Sequence, residues 1–180
     1  RLAAKQAVFA GLELLLSPDA VLATNTSSLS VSSIAMGLAR PNRVLGLHFF
    51  NPAPAMRLVE LIPHDTTAPD ALARARHLTE GAGKTVIQCA DRPGFIVNRC
   101  ARPYYGEALA LLEQGRSAAE IDAAMVAAGY RLGPFALIDL IGADTELILQ
   151  DAPDPDIGRD LVFGYANDFA FHANALRGCF

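Results

Sequence analysis

The alternation of short apolar runs with helical patterns in the first half of the chain constrains its fold most. Four runs have the length and composition of buried strands: 21–24, 44–49, 58–62 and 85–89. Between them, apolar residues recur with the period of an α-helix, over about 2–16, 31–39 and 68–82. This alternation predicts an α/β sheet with at least some parallel pairing, because a helix can carry the chain back to the start of a neighbouring strand.

The pattern changes after Asp91-Arg92-Pro93-Gly94. Helical patterns cover 95–114 and 117–128, a shorter one covers 135–141, and no convincing strand pattern follows Cys89. We therefore predict an α/β part, then an all-α part, with a boundary near residues 90–94. The last 20 residues carry only a weak helical pattern.

The composition narrows the classes of partner. The 180 residues carry a formal net charge of −4 without a basic block, which argues against nucleic acid and anionic membranes as partners. The apolar runs are far shorter than the roughly 20 residues of a membrane span. The four histidines and three cysteines (Cys89, Cys100 and Cys179) show neither zinc spacing nor a disulfide framework. We expect no metal, and a reducing, cytoplasmic setting.

His48 stands at the carboxyl end of the second predicted strand. Ligands of open α/β sheets bind at that edge, so His48 is a candidate acid/base residue. A lone histidine in an apolar strand is also common as a core residue with a satisfied hydrogen bond, and this alternative stays open. The neighbourhood favours function, because Pro52 and Pro54 stiffen the next loop and Asn51 offers an amide three residues on.

Glu60 lies between apolar residues of the third predicted strand. Burial of a carboxylate is costly unless the group is paired, so Glu60 either points to solvent from an edge strand or has a specific partner. A histidine would be such a partner, because a carboxylate on one ring nitrogen leaves the other free to exchange a proton with a substrate.

Other polar residues have both a structural and a functional interpretation. Ser27 and Ser28 suit turn formation and helix capping. Asn98 suits a helix start, and Gly94 before it permits a sharp turn at the entry of the chain. Lys5 is most simply a solvated helix residue. Gly81-Ala82-Gly83 ends a helix before a strand, which is the wrong order for a dinucleotide fingerprint. The residues alone therefore indicate a ligand-binding α/β–α protein with a candidate His–Glu acid/base pair.

Five stretches occur in a fixed order: Asn25-Thr26-Ser27-Ser28-Leu29, Gly46-Leu47-His48-Phe49-Phe50-Asn51-Pro52, Met56-Arg57-Leu58-Val59-Glu60, Pro93-Gly94-Phe95-Ile96-Val97-Asn98-Arg99, and Gly133-Pro134-Phe135 with Asp139 and Gly142-Ala143-Asp144. Together they resemble the 3-hydroxyacyl-CoA dehydrogenases, over about residues 2–145. Ala101-Arg102-Pro103-Tyr104-Tyr105 with Glu107-Ala108 resembles the bacterial branch associated with phenylacetate degradation, which acts on 3-hydroxyadipyl-CoA or 3-hydroxybutyryl-CoA.

The resemblance implies NAD-dependent oxidation of a 3-hydroxyacyl-CoA, as in fatty-acid β-oxidation. It assigns residues 1–91 to a partial Rossmann-type domain without its Gly-rich half, and 92–180 to a helical domain for substrate binding and homodimerisation. It implies four catalytic residues: His48, Glu60, Ser27 and Asn98. The cofactor contacts that it implies are Lys5, Asn25, Ser27 and Asn51.

Two departures from the family limit this expectation. The chain starts inside a helical pattern without Met, so we expect the Gly-rich fingerprint upstream of Arg1. Residues 151–180 do not follow the family's long dimer helices convincingly. One alternative is therefore that the chain by itself is a non-catalytic fragment or interaction module. Another is a hydroxy acid dehydrogenase similar to 6-phosphogluconate dehydrogenase. The His48/Glu60 pair argues against it, because the site of those enzymes is generally based on a lysine.

Overall fold

The computed structural model describes residues 1–141. They divide into two compact units, Arg1–Ile96 and a second unit that begins at Val97. The predictions for Gly142-Ala143-Asp144, Cys179 and the segment 151–180 concern positions outside the described residues. Within the described part, no helix is long and apolar enough to cross a membrane.

The first unit is a four-stranded sheet with helices. Its elements are α1 (Leu2–Leu15), β1 (Leu22–Thr24), α2 (Val31–Ala35), a 3₁₀ turn (Pro41–Arg43), β2 (Val44–Phe49), β3 (Leu58–Ile62), α3 (Pro69–Gly81) and β4 (Thr85–Gln88). The strands follow the order β1-β2-β3-β4. Strands β1 and β2 are parallel, as are β3 and β4, whereas β2 and β3 are antiparallel. The predicted α/β class with partial parallel pairing is confirmed.

Helices cover both faces of the sheet. Successive side chains of a strand point to opposite faces, so each face carries apolar side chains that a helix can bury. Helices α1 and α2 pack on one face through a cluster of buried residues: Phe9, Leu22, Val31, Ile34, Ala35, Val44, Ile62, Cys89 and Phe95. Helix α3 packs on the other face through Ala75 against Leu45 and Leu61. His48 and Glu60 are four and two residues from Val44 and Ile62, so they lie on the face of α1 and α2.

Gly46 brings α2 close to the sheet beside the site. A Cβ at this position would lie 2.8 Å from Ile62 Cδ1 and 3.1 Å from Val31 Cγ2. Both distances are tighter than ordinary van der Waals contact, so a side chain at Gly46 would push α2 away from β2. The glycine in the His48 motif therefore has a packing role.

Helix α2 is shorter than the sequence pattern predicted. It ends at Ala35 instead of about residue 39, and Gly37 follows with φ 88°. The Glu13 carboxylate of α1 accepts hydrogen bonds from the backbone N–H groups of Ala39 (2.8 Å) and Arg40 (2.9 Å). The prediction to residue 39 was wrong because these N–H groups find their acceptor on another helix, which the local pattern cannot show.

The second unit is helical in its described part, with α4 (Val97–Glu113), α5 (Ala118–Ala127) and α6 (Pro134–Ile141). The Asp122 carboxylate of α5 accepts hydrogen bonds from the N–H groups of Phe135 and Ala136, both at 2.9 Å, and so caps the start of α6. Gly133 lies against Asp122 without room for a Cβ. This packing explains why a glycine precedes Pro134-Phe135 in the motif.

Candidate active site

The antiparallel register of β2 and β3 brings His48 and Glu60 together. The two residues are direct cross-strand partners, so their side chains share one face of the sheet. His48 Nδ1 lies 2.6 Å from Glu60 Oε2. Their exposed fractions are 4% and 0%. Because β3 is an interior strand, the alternative of a solvent-facing Glu60 on an edge strand is wrong, and the carboxylate has the histidine partner that the sequence suggested.

Glu60 determines which nitrogen of His48 is the base. Its Oε1 accepts a hydrogen bond from the backbone N–H of Ile96 at 2.9 Å, so both carboxylate oxygens act as acceptors. Nδ1 must then carry the proton that it donates to Oε2. In the neutral ring this leaves a lone pair on Nε2, assigned from the hydrogen-bond network.

Ser27 lies at the free nitrogen of His48. Ser27 Oγ is 3.1 Å from Nε2, the distance at which the hydroxyl donates to the lone pair. Ser27 belongs to the loop after β1, and β1 is parallel to β2, so this loop reaches the sheet edge where β2 ends. This is the edge where open α/β sheets bind ligands. The structure thus brings three of the four predicted catalytic residues together.

Residues 91–96 cover the buried pair. Gly94 (φ 73°) and Phe95 (φ 47°) turn the chain through the left-handed region, which is uncommon for a non-glycine residue. This turn directs the Ile96 N–H to Glu60. The sharp turn at Gly94 was predictable from the sequence. The Ile96 contact was not, because every residue type except proline has a backbone N–H.

Two aromatic rings flank the imidazole. The ring of Phe50 meets that of His48 edge-on at 4.7 Å between centroids, and the ring of Phe95 lies at 5.6 Å. Since His48 and Glu60 are 4% and 0% exposed, the Nδ1–Glu60 contact lies away from bulk water. Because the local dielectric is low, that hydrogen bond is stronger than the same contact in water.

Asp91 ties the covering segment to the loop that carries Ser27. Its carboxylate accepts four hydrogen bonds: from Ser30 Oγ (2.9 Å), Val31 N–H (2.9 Å), Ser32 N–H (2.8 Å) and Ser32 Oγ (2.8 Å). Burial alone would raise the pKa of Asp91, but the hydrogen bonds from Ser32, Val31 and Ser30 outweigh it, and the pKa is lowered. The ionised carboxylate is therefore the form that the fold stabilises.

Asp91→Asn is expected to destabilise the protein in a pH-dependent way. The native-state pKa lies below the unfolded value of about 3.9, so the carboxylate stabilises the fold fully above that value. The stabilisation is lost as the pH falls through the lowered native-state pKa. An asparagine cannot accept all four hydrogen bonds, and donors left unsatisfied cost about 1–3 kcal/mol. Urea unfolding between pH 3 and pH 7 measures the difference, which should shrink towards acid.

Asp70→Asn is the matched control, because the Asp70 side chain is 85% exposed and its ion pair is with Arg74 in the next turn of α3. It should change the free energy of unfolding little at any pH. An Asp91→Asn protein as stable as the wild type at pH 7 would contradict the role of the four hydrogen bonds.

Cys89 adjoins the site but does not act as a nucleophile. Burial, and then the negative charges of Glu60 and Asp91, raise its pKa to about 12. Its thiol thus stays protonated at neutral pH, whereas thiol chemistry needs the thiolate. Cys89 is a packing residue of the face that carries the His48–Glu60 pair.

The other predicted site residues occupy less informative positions. Asn25 Oδ1 accepts a hydrogen bond from the Phe49 N–H at 2.8 Å, which ties the loop after β1 to the end of β2. Asn51 is exposed in the loop after β2, and Lys5 is half-buried in α1. Asn98 is the second residue of α4 and belongs to the second unit. Their roles stay predictions.

Comparisons with known proteins bear on this arrangement. A family model described as "3-hydroxyacyl-CoA dehydrogenase, NAD binding domain" matches residues 1–92, and the model of that family's C-terminal domain matches residues 94–159. The first match alone covers more than half of the chain. The chain belongs to the 3-hydroxyacyl-CoA dehydrogenase family.

Individual members of the 3-hydroxyacyl-CoA dehydrogenase family are similar over most of this chain. A 3-hydroxyadipyl-CoA dehydrogenase of Escherichia coli is 49% identical over 80% of the chain and 31% of its own length. A probable 3-hydroxyacyl-CoA dehydrogenase of Caenorhabditis elegans is 44% identical over 82% of the chain and 50% of its own length. The chain therefore spans 31% to 50% of the length of these curated relatives.

Solved structures of this family have the same fold. The 3-hydroxybutyryl-CoA dehydrogenase of Escherichia coli superposes with a TM-score of 0.79 at 48% identity, over 83% of this chain and 32% of that one. The (S)-3-hydroxybutyryl-CoA dehydrogenase of Ralstonia eutropha superposes with a TM-score of 0.83 at 31% identity, over 98% of this chain and 62% of that one. These likenesses confirm the predicted fold class and the predicted family.

Proposed function

We propose that the full-length protein oxidises the 3-hydroxyl of a 3-hydroxyacyl-CoA to the 3-oxoacyl-CoA, reversibly, with NAD as cofactor. The observation that carries this proposal is the buried His48–Glu60 pair, with Nε2 of His48 directed at Ser27 Oγ. A base at the carboxyl edge of the sheet, in a chain of this family, suits the removal of a hydroxyl proton.

His48 and Glu60 divide the proton transfer between them. Nε2 of His48 accepts the proton of the 3-hydroxyl as the C3–H bond breaks and the C3=O double bond forms. The ring becomes an imidazolium, and the Glu60 carboxylate 2.6 Å from Nδ1 stabilises its positive charge. In the reverse direction the imidazolium returns the proton. General acid/base catalysis of this kind contributes about 10²–10⁴ in rate.

Ser27 is proposed to hold the reacting oxygen. Its hydroxyl donates to Nε2 at 3.1 Å. When a substrate hydroxyl takes that lone pair, the single proton of Ser27 Oγ is free to donate to the substrate oxygen instead. A donor there stabilises the negative charge that develops on the oxygen during proton removal. We propose that Asn98 contributes a second polar contact to the same oxygen.

When bound, NAD⁺ would supply the acceptor for the hydride that leaves C3 of the substrate. The residues present fit the nicotinamide end of such a cofactor, since polar side chains follow the carboxyl ends of the parallel strands β1 and β2. We propose that four residues contact it: Lys5, Asn25, Ser27 and Asn51. The 180 residues contain no Gly-x-Gly-x-x-Gly turn for the pyrophosphate.

The domain organisation and partners follow the same proposal. We propose that residues 1–91 are the cofactor-binding part, and that residues 92–180 bind substrate and a second copy of the protein. We propose a cytoplasmic homodimer that binds neither nucleic acid nor membranes. The 49% identity to a relative named 3-hydroxyadipyl-CoA dehydrogenase favours 3-hydroxyadipyl-CoA or 3-hydroxybutyryl-CoA as substrate, in phenylacetate degradation or β-oxidation.

The choice of substrate provides the test. The full-length protein is expected to reduce NAD⁺ with 3-hydroxybutyryl-CoA or 3-hydroxyadipyl-CoA, and to oxidise NADH with acetoacetyl-CoA. Absorbance of the nicotinamide measures both directions. Turnover of free hydroxy acids in preference to the CoA thioesters would favour an enzyme similar to 6-phosphogluconate dehydrogenase.

The chain by itself is also a candidate non-catalytic fragment or interaction module. The lack of a Gly-rich turn and the coverage of only 31% to 50% of its relatives favour this second function for the 180 residues alone. Calorimetry with NAD⁺ on the 180-residue chain and on the full-length protein separates the two. Binding only to the full-length protein supports both proposals, whereas binding to neither contradicts the dehydrogenase.

A further inference from the structure

The loop between β2 and β3, residues 50–57, directly follows the strand that carries His48. It begins with Phe50, whose ring contacts the imidazole edge-on, and continues with the exposed Asn51. The loop makes few hydrogen bonds of its own. The N–H groups of Ala55 and Met56 both donate to Pro52 O at 3.0 Å. Pro52 and Pro54 have no N–H, so the loop offers more acceptors than donors.

Lys84 supplies the missing donors. Its Nζ lies 2.6 Å from Ala53 O, 2.9 Å from Met56 O and 3.3 Å from Pro54 O. An ammonium group has three N–H donors, and here all three have a carbonyl of the same loop within reach. The adjacent Thr85 N–H donates to Arg57 O at 2.8 Å, so the start of β4 holds the far end of the loop as well.

The backbone before β4 orients this lysine. Gly83 has φ 78°, a left-handed conformation that glycine adopts without strain, and it turns the chain from α3 towards β4. The Lys84 N–H donates to Thr79 O at 3.3 Å, which anchors the backbone to the end of α3. The Lys84 side chain therefore extends to the loop from a backbone that is held in place.

We infer that Lys84 is a positioning residue for the proposed dehydrogenase site. It acts through the loop, not on the substrate: it holds Phe50 against the His48 ring and keeps Asn51 at the edge where β2 ends. The catalytic consequence of this inference rests on the proposed function. The hydrogen bonds by which Lys84 holds the loop do not depend on that function.

The loop is separate from the core that stabilises the sheet. Among the described residues, the two buried clusters of the first unit include no member of the loop 50–57. Lys84 itself is only half-buried. Loss of its hydrogen bonds should therefore free the loop and leave the sheet folded, which separates positioning from general stability.

Hydrogen–deuterium exchange and steady-state kinetics on the full-length protein test this inference. Lys84→Met keeps the length of the side chain and removes the donors. We expect exchange in the loop peptide to accelerate at least about tenfold, because one hydrogen bond to a charged group shifts an equilibrium by that factor or more. Exchange in β2 and β3 should not change. We expect kcat with a CoA thioester to fall about tenfold, since a displaced active-site loop misaligns the reacting groups.

Two further variants complete the comparison. Lys84→Arg keeps the charge, but a planar guanidinium cannot direct its donors as an ammonium does, so intermediate loop exchange is expected. Arg74→Met on α3 removes one positive charge from an exposed ion pair with Asp70 and should leave exchange and kcat unchanged.

Unchanged exchange in the loop of Lys84→Met would overturn the inference, as would faster exchange across β2 and β3 as well. If the loop of Lys84→Met exchanges faster but kcat keeps its wild-type value, the inferred effect of Lys84 on catalysis is overturned. If the wild-type protein shows no dehydrogenase activity, the proposed function fails, while loop exchange still decides whether Lys84 fastens the loop.

Discussion

Replacement of His48 by glutamine is expected to lower kcat of the full-length protein by about 10²–10⁴-fold, the usual contribution of general acid/base catalysis. The glutamine amide can still form a hydrogen bond with Glu60 or Ser27, but it cannot accept a proton at the position of Nε2. KM for the CoA thioester should change much less, because proton removal belongs to the transition state rather than to binding. Oxidation of NADH with acetoacetyl-CoA measures both parameters.

His77→Gln is the matched control for this experiment. His77 is exposed on α3, on the face of the sheet opposite to that of His48. The same chemical change there should leave kcat near the wild-type value. A His48→Gln enzyme that turns over at the wild-type rate would show that His48 is a core residue with satisfied hydrogen bonds, the alternative that the strand pattern alone left open.

Glu60→Ala is expected to produce the largest loss of stability, about 3–5 kcal/mol in the free energy of unfolding, as for other buried pairs that lose one partner. Glu60 has no exposed surface, and its two oxygens serve His48 Nδ1 and the Ile96 N–H. Alanine leaves both donors facing a cavity that excludes bulk water. Urea unfolding measures the change, and kcat should also fall because the imidazolium loses its anionic partner.

Glu60→Gln separates the charge from the shape. Its amide oxygen can serve one donor, but its NH₂ group then faces the other, so a smaller loss of stability than for alanine is expected. Glu80→Ala is the surface control, since Glu80 forms a partly exposed ion pair with Arg76 one turn away and such pairs contribute at most about 1 kcal/mol. Equal stabilities of Glu60→Ala and Glu80→Ala would rule out the buried hydrogen-bonded pair.

The sequence predicted the elements of this site better than their contacts. Strand β2 with His48 and strand β3 with Glu60 were both predictable from apolar runs. The contact between them was not, because it depends on antiparallel register over a twelve-residue separation. A slip of one residue would place the two side chains on opposite faces of the sheet.

The groups that hold the site in place were least visible in the sequence. Lys84 stands before a strand like any solvated lysine, and Asp91 stands in a turn like any exposed aspartate. Each gains its role from partners about 30 and 60 residues away in the chain. Residue type and spacing carry no information on such partners, so only the folded chain reveals them.

The sequence by itself determined the alternating α/β order, the helical second part, the glycine turn at Gly94 and the family, because these depend on residues that are close together in the chain or on motifs in linear order. Only the tertiary structure decided that Glu60 is buried against His48 Nδ1 and that Ser27 faces Nε2. The physical reason is the same in both cases. A buried polar group must find its hydrogen-bond partner, and packing of distant segments determines which partner it finds.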